Sequence, residues 1–193
     1  MATPVLTREP VRYVTEDQFL SSDEWDGYEL VDGVPVEVDM GGLSAWVGTQ
    51  VSRRLANYLD DAPVGGAVFA QDTPFKAWPD RPDHFRKPDA MYFGPGRFPG
   101  DVPPEGPIMT APDIAVEVAS PNDNLRTLNL KIAEYFRAGV RLIWLVDPET
   151  RTIQILRANG QDARVGPDDT LTGEDVLPGF EVRVGDLFPK RAD

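Results

Sequence analysis

Between residues 113 and 119 aliphatic residues alternate with small or acidic ones, which is the two-residue period of a β-strand. One face of this strand is aliphatic, and the other carries the carboxylates of Asp113 and Glu117. Over residues 125–139 apolar residues recur at helical spacing as far as a glycine, the usual residue at a helix end. A short apolar run at 142–146 then has the length of a buried strand. The pattern predicts a right-handed β-α-β unit with parallel strands.

Lys131 has a special position in this predicted helix. It lies roughly 90° from the middle of the apolar stripe at about 100° per residue, and therefore at the edge of that stripe. From there a long side chain can reach over the end of the sheet towards the acidic face of the preceding strand. The apolar stripe itself consists of Leu125, Leu128, Ile132, Tyr135 and Phe136.

The remaining pattern predicts an α/β (α+β) fold: a mixed β-sheet flanked by helices, with an N-terminal β-hairpin. Residues 28–38 read as a hairpin that turns at Asp-Gly. A helix is expected over about residues 44–60, and strands are expected at 67–70, 89–93 and 151–157. We expect residues 1–12 to form a flexible arm and residues 13–193 to form a single domain.

The amino-acid composition limits the kinds of catalytic and metal site that the chain can form. Among the 193 residues there is no cysteine and one histidine, His84, so thiol catalysis, thiolate metal sites and histidine clusters are excluded. We expect His84, in a loop rich in proline and aspartate, to be a surface residue. The net charge of −13 argues against tight non-specific binding of nucleic acid and suits a protein that binds divalent cations. Because no long apolar run or signal pattern is present, we expect a cytoplasmic protein that does not enter a membrane.

Four residues form a candidate site: Glu29, Asp89, Glu117 and Lys131. Asp89 and Glu117 are predicted on adjacent strands, where two carboxylates can hold Mg²⁺, with Mn²⁺ as a substitute. Lys131 would orient or help deprotonate a water molecule and neutralise charge on a reacting phosphate, and Glu29 would assist. Three of these residues have an alternative role. Asp89 can bond local backbone amides, Glu29 can pair with an arginine, and Lys131 can extend into solvent.

Several motifs, spread over about residues 13–188, resemble the Uma family of putative restriction endonucleases. The resemblance implies the PD-(D/E)XK nuclease-like fold, with Asp89 as the acid of its first motif and Glu117 as the acid of its second. Ala119 stands at the usual lysine position, and Lys131 would replace that lysine from the helix. The motifs are Tyr28-Glu29-Leu30-Val31-Asp32-Gly33, Pro88-Asp89, the segment from Pro112 to Pro121, Lys131-x3-Tyr135-x3-Gly139-Val140, Trp144-Leu-Val-Asp147-Pro148 and Leu177-Pro178-Gly179-Phe180.

The resulting hypothesis is a Mg²⁺-dependent endonuclease that hydrolyses phosphodiester bonds of nucleic acid, with DNA as the expected substrate. Substrate phosphates would approach over loops 71–88 and 119–127. The positive charge there comes from Lys76, Arg81, Arg86, Lys87 and Arg126.

The alternative is a non-catalytic nuclease-fold protein that acts as a dimeric binding module. The net charge favours it, and so do Ser44 and Thr127, which stand where the family tends to have a histidine and an aspartate. The direction of Lys131, into a cleft or into bulk solvent, distinguishes the two hypotheses. In either case we expect a homodimer that covers Trp25 or Trp46, since edge strands need cover.

Overall fold

Six strands form one mixed sheet in the computed structural model, which describes residues 12–38, 41–121 and 123–190. Every neighbouring pair is antiparallel except β5 and β6, which run parallel and are joined by the helix α3 (Leu125–Ala138). The predicted β-α-β unit is therefore present. In sheet order the strands are β3 (Ala67–Ala70), β4 (Ala90–Phe93), β5 (Ile114–Val118), β6 (Leu142–Asp147), β7 (Thr152–Arg157) and β8 (Ala163–Val165).

The strand β5 is buried along its whole length because a helix covers each face of the sheet. Its residues Ile114, Val116 and Val118 pack in the same apolar core as the inward side of α2 (Gly42–Asp61). Ala115 belongs to a second core, on the side of α3. The alternation seen in the sequence thus separates the two faces, and Glu117 lies on the α3 side.

A separate two-stranded hairpin, β1 (Tyr28–Val31) and β2 (Val34–Glu37), follows a short helix, α1 (Glu16–Leu20), at the N-terminal end. Its turn residues Asp32 and Gly33 have φ of 50° and 78°, a left-handed conformation that explains the Asp-Gly sequence. Leu30 and Phe85 exchange two backbone hydrogen bonds, so the hairpin is attached beside the segment that leads into β4. A second small sheet joins β9 (Thr170–Gly173) and β10 (Leu177–Arg183).

Some predictions about exposure are wrong. Leu125 begins α3 but is 76% exposed, so the apolar stripe starts later than predicted. Trp25 is buried in an N-terminal core with Phe19 and Phe85, so its own chain already covers it and it offers no dimer contact. Trp46 is exposed, and a dimer contact there remains a prediction.

The predicted flexible arm falls almost entirely outside the described residues. Residues 1–11 are not described, and the single-domain boundary at residue 13 stays a prediction. The last predicted arm residue, Arg12, is tied to the folded part: it forms an ion pair with Glu24 and lies over the ring of Trp25.

Two leucine truncations test the packing of the helices. Leu55, in α2, is fully buried in the core under the sheet, so Leu55→Ala should lower the free energy of unfolding by about 2–5 kcal/mol. Leu130, in α3, is a matched control because it is mostly exposed, and Leu130→Ala should change that free energy by less than about 0.5 kcal/mol. Urea denaturation measures both. Equal losses for the two variants would contradict this packing.

Candidate active site

The ammonium group of Lys131 lies between two buried carboxylates. Its Nζ is 2.9 Å from Glu117 Oε2 and 2.9 Å from Glu29 Oε1. Only 11% of the lysine side chain is exposed. Lys131 therefore points into the cleft and not into bulk solvent, and three of the four predicted residues meet there.

Asp89, the fourth residue, immediately precedes β4. The register that pairs Ala90 with Val116 places Asp89 beside Glu117, and Asp89 Oδ2 accepts a hydrogen bond from the backbone N–H of Val118 at 2.6 Å. Burial, followed by the charge of Glu117, raises the pKa of Asp89 to about 7. The negative charge of Glu117 thus acts on Asp89, as expected for carboxylates on neighbouring strands.

Both carboxylate oxygens of Glu117 are held by α3. Lys131 occupies Oε2, and the Tyr135 hydroxyl donates to Oε1 at 2.5 Å. Burial raises the pKa of Glu117, and Lys131 offsets this only in part. Burial and the Glu117 charge likewise raise the pKa of Tyr135 well above its usual value, so Tyr135 remains a neutral donor.

The protonation of Lys131 limits what it can do. Burial opposes its charge, but the carboxylates of Glu117 and Glu29 outweigh burial and hold the pKa of Lys131 well above its ordinary value. An ammonium group cannot accept a proton from water. This arrangement favours orientation and charge stabilisation over the proton abstraction that the sequence left open for Lys131.

Behind Lys131 a chain of alternating charges runs to the protein surface. Glu29 Oε2 accepts from Arg86 Nη1 at 2.7 Å, and the same guanidinium donates to Glu134 Oε2 through Nε at 2.9 Å and Nη2 at 2.5 Å. Arg81 then joins Glu134, at 2.9 Å, to Asp32, at 2.6 and 2.7 Å. Glu29 therefore contacts the site lysine and also pairs with an arginine. In order the charge chain comprises Glu117, Lys131, Glu29, Arg86, Glu134, Arg81 and Asp32.

His84, predicted at the surface, is fully buried next to this charge chain. Its Nδ1 accepts a hydrogen bond from the backbone N–H of Asp32 at 3.3 Å. Nε2 faces Glu134 Oε2 at 3.4 Å, an electrostatic contact without good hydrogen-bond alignment. The edge of the imidazole packs against Trp78 at 4.6 Å between ring centroids. His84 is therefore a structural partner of the charge chain.

Three of the five cations assigned to substrate phosphates are used inside the protein. Lys76 pairs with Glu16, and Arg81 and Arg86 belong to the charge chain, so that assignment is wrong for them. Lys87 lines the cleft and Arg126 is exposed at the start of α3, so both lie where a substrate can reach them.

The sequence places Asp113 on the same strand face as Glu117, but Asp113 lies at the opposite end of β5. It accepts hydrogen bonds from Gly94 N at 2.8 Å and from Arg97 Nε at 2.9 Å. These contacts fix the loop that follows β4, so Asp113 has an architectural role.

Asp89 and Glu117 form the acid pair. The cleft that contains this acid pair is also lined by Ser44 and Thr127, the two positions that depart from the family pattern. The Ser44 hydroxyl donates to the carbonyl of Ala119 at 3.2 Å, which ties the start of α2 to the end of β5. Both departures thus lie beside the candidate site.

The donor set can be tested for a metal ion. Among the described residues, no three or more His, Cys, Asp or Glu side chains are grouped to hold one. Mg²⁺ commonly binds through one or two carboxylates and keeps several waters, so Asp89 and Glu117 fit that mode. When Asp89 and every carboxyl of the charge chain are ionised, five carboxylates face three cations, an excess of two negative charges. A divalent cation matches that excess.

Comparisons with known proteins agree with this architecture. The Uma2 family profile, described as "Putative restriction endonuclease", matches residues 16–185. A crystal structure of a putative nuclease belonging to DUF820 from Anabaena variabilis ATCC 29413 has a TM-score of 0.72 and 21% sequence identity. The similarity covers 91% of this chain and 97% of that one, and it shows the same fold.

No curated protein matches the chain significantly. Within the described residues, no helix is both long and apolar enough to cross a membrane. The restriction-endonuclease-like fold is nevertheless confirmed, and the profile match extends over most of the sequence. The chain therefore belongs to the Uma2 family.

Proposed function

We propose that this chain is an endonuclease that hydrolyses phosphodiester bonds of nucleic acid, with Mg²⁺ or Mn²⁺ held by Asp89 and Glu117. The family and the fold support a nuclease. The observation that carries the proposal is the buried ammonium of Lys131, which faces the acid pair in one cleft. A purely structural lysine at the edge of a helix would extend into solvent.

Each residue has a distinct task in this proposal. Asp89 and Glu117 would bind the divalent cation, which supplies Lewis-acid polarisation of a phosphate and lowers the pKa of bound water. The ammonium of Lys131 stabilises negative charge that develops on the phosphate. Glu29, anchored by Arg86, keeps that ammonium in the cleft. Lys87 and Arg126 attract the nucleic-acid backbone at the rim.

The charge of the site supports a dependence on divalent cations. A phosphodiester is an anion, and once Asp89 is ionised its network with the charge chain has two uncompensated negative charges. Without a cation the cleft therefore repels its substrate. This also agrees with the net charge of −13, which gives little general attraction for nucleic acid.

Two substitutions separate metal binding from catalysis. Asp89→Asn removes a ligand, so it should abolish both Mn²⁺ binding and cleavage. Lys131→Gln leaves both ligands and removes one positive charge, so it should keep or tighten Mn²⁺ binding while it lowers the cleavage rate about 10²–10³-fold. Calorimetry with Mn²⁺ and a cleavage assay on plasmid, single-stranded DNA and RNA measure the two effects.

The Asp89→Asn protein, purified in the same way, also controls for contaminating nucleases. Cleavage by that variant at the wild-type rate would assign the activity to a contaminant. A wild-type protein that binds Mn²⁺ but cleaves none of the substrates would reject the catalytic proposal and favour a binding module.

The pKa of Asp89 predicts a pH dependence. In the folded protein this carboxyl keeps its proton up to about pH 7, whereas its ordinary pKa is 3.8. Below about pH 7 a cation must displace the proton, so Mn²⁺ affinity should rise about tenfold per pH unit and level off above that pH. Calorimetry in buffers of different ionisation enthalpy should detect the released proton.

The same carboxyl affects the metal-free protein with the opposite sign. Between its ordinary and folded pKa the folded state binds more protons than the unfolded state, so stability falls as pH rises through this window. Asp89→Asn should remove this part of the slope in melting temperature against pH. A variant with an unchanged slope would show that Asp89 does not titrate near neutrality.

A further inference from the structure

Tyr135 is a buried side chain with a polar contact that its packing does not require. Its ring is fully buried in the core on the α3 side of the sheet, 5.6 Å from the ring of Phe75 between centroids. A phenylalanine would fill the same space. The hydroxyl instead donates to Glu117 Oε1 at 2.5 Å.

We propose that Tyr135 is a positioning residue that fixes the carboxylate of Glu117 for cation binding. The proposal rests on the function proposed above. Lys131 and Tyr135 are four residues apart and therefore lie on the same side of α3. Each holds a different oxygen of Glu117, so the carboxylate cannot rotate about its last bond without breaking both contacts.

The chemistry of the phenol explains why a tyrosine suits this position. The hydroxyl stabilises the carboxylate by donating a hydrogen bond but brings no charge. A lysine or arginine there would cancel one of the two excess negative charges and weaken the attraction for a divalent cation. Since each carboxylate oxygen has two lone pairs, Glu117 still has acceptor sites that face the cleft.

The test compares two tyrosine-to-phenylalanine variants. Tyr135→Phe keeps the ring and removes only the hydroxyl. Tyr92→Phe is the matched control, because Tyr92 is also buried in the sheet but donates to the carbonyl of Gly65, away from the acid pair. We expect Tyr135→Phe to weaken Mn²⁺ binding about tenfold, as is usual when a partner of a metal ligand is lost.

Tyr92→Phe should leave Mn²⁺ affinity within about twofold of the wild type, because the Tyr92 hydroxyl contacts neither Asp89 nor Glu117. In a cleavage assay at limiting Mn²⁺ in which the nucleic-acid concentration is varied, Tyr135→Phe should lower kcat and leave KM for the nucleic acid unchanged. If both variants melt lower by similar amounts and both bind Mn²⁺ like the wild type, Tyr135 is only structural and the proposal is overturned.

Metal-free crystal structures separate this proposal from the function on which it rests. In Tyr135→Phe the carboxylate of Glu117 should turn away from its wild-type orientation, whereas an unmoved carboxylate would overturn the positioning role. If the wild type itself binds no Mn²⁺, the proposed function fails. The position of Glu117 in the two structures then still decides the role of Tyr135.

Discussion

The burial of a carboxyl group, that of Glu117, in a central strand is the constraint on which the site depends. A carboxylate removed from water is tolerated only if charged or polar donors replace the lost solvation. The helix α3 supplies two such donors, Lys131 and Tyr135. Lys131 is itself buried and needs a second anion, which Glu29 provides. Glu29 in turn needs Arg86, so one buried charge explains a sequence of partners.

The hairpin β1–β2 contributes two residues to this charge chain. The hairpin is not part of the six-stranded sheet, yet Glu29 on β1 contacts the site lysine, and Asp32 in its turn closes the far end of the charge chain. The site is therefore assembled from three bodies of the fold: the sheet, α3 and the hairpin. Ion pairs thus connect these three parts of the fold.

The sequence predicted the parts of the molecule that rest on periodicity and turn chemistry. These include the alternation of β5, the helix end at Gly139, which has φ of 99°, and the Asp-Gly turn. The candidate residues Asp89, Glu117 and Lys131 came from carboxylates on neighbouring predicted strands, a lysine at the edge of the helical stripe and the family resemblance. The structure places these three residues in one cleft. The contacts of Arg86, Glu134 and His84 with one another were not predicted. Contacts between segments about 50 residues apart produce no repeat in the sequence. The exposure of Trp25 and Leu125 was predicted wrongly because it depends on which neighbouring segment packs over each side chain.

The charge chain has one end in solvent and the other in the protein interior, and dissolved salt acts on these ends differently. Asp32 is 60% exposed, so ions in solution screen its pairing with Arg81. Lys131, Glu29 and Arg86 are shielded from those ions. In the proposed function, ionic strength therefore weakens the attraction of nucleic acid to Lys87 and Arg126 while it leaves the electrostatic state of the cleft nearly unchanged. The protein itself, more than the surrounding medium, sets the electrostatic potential beside Lys131.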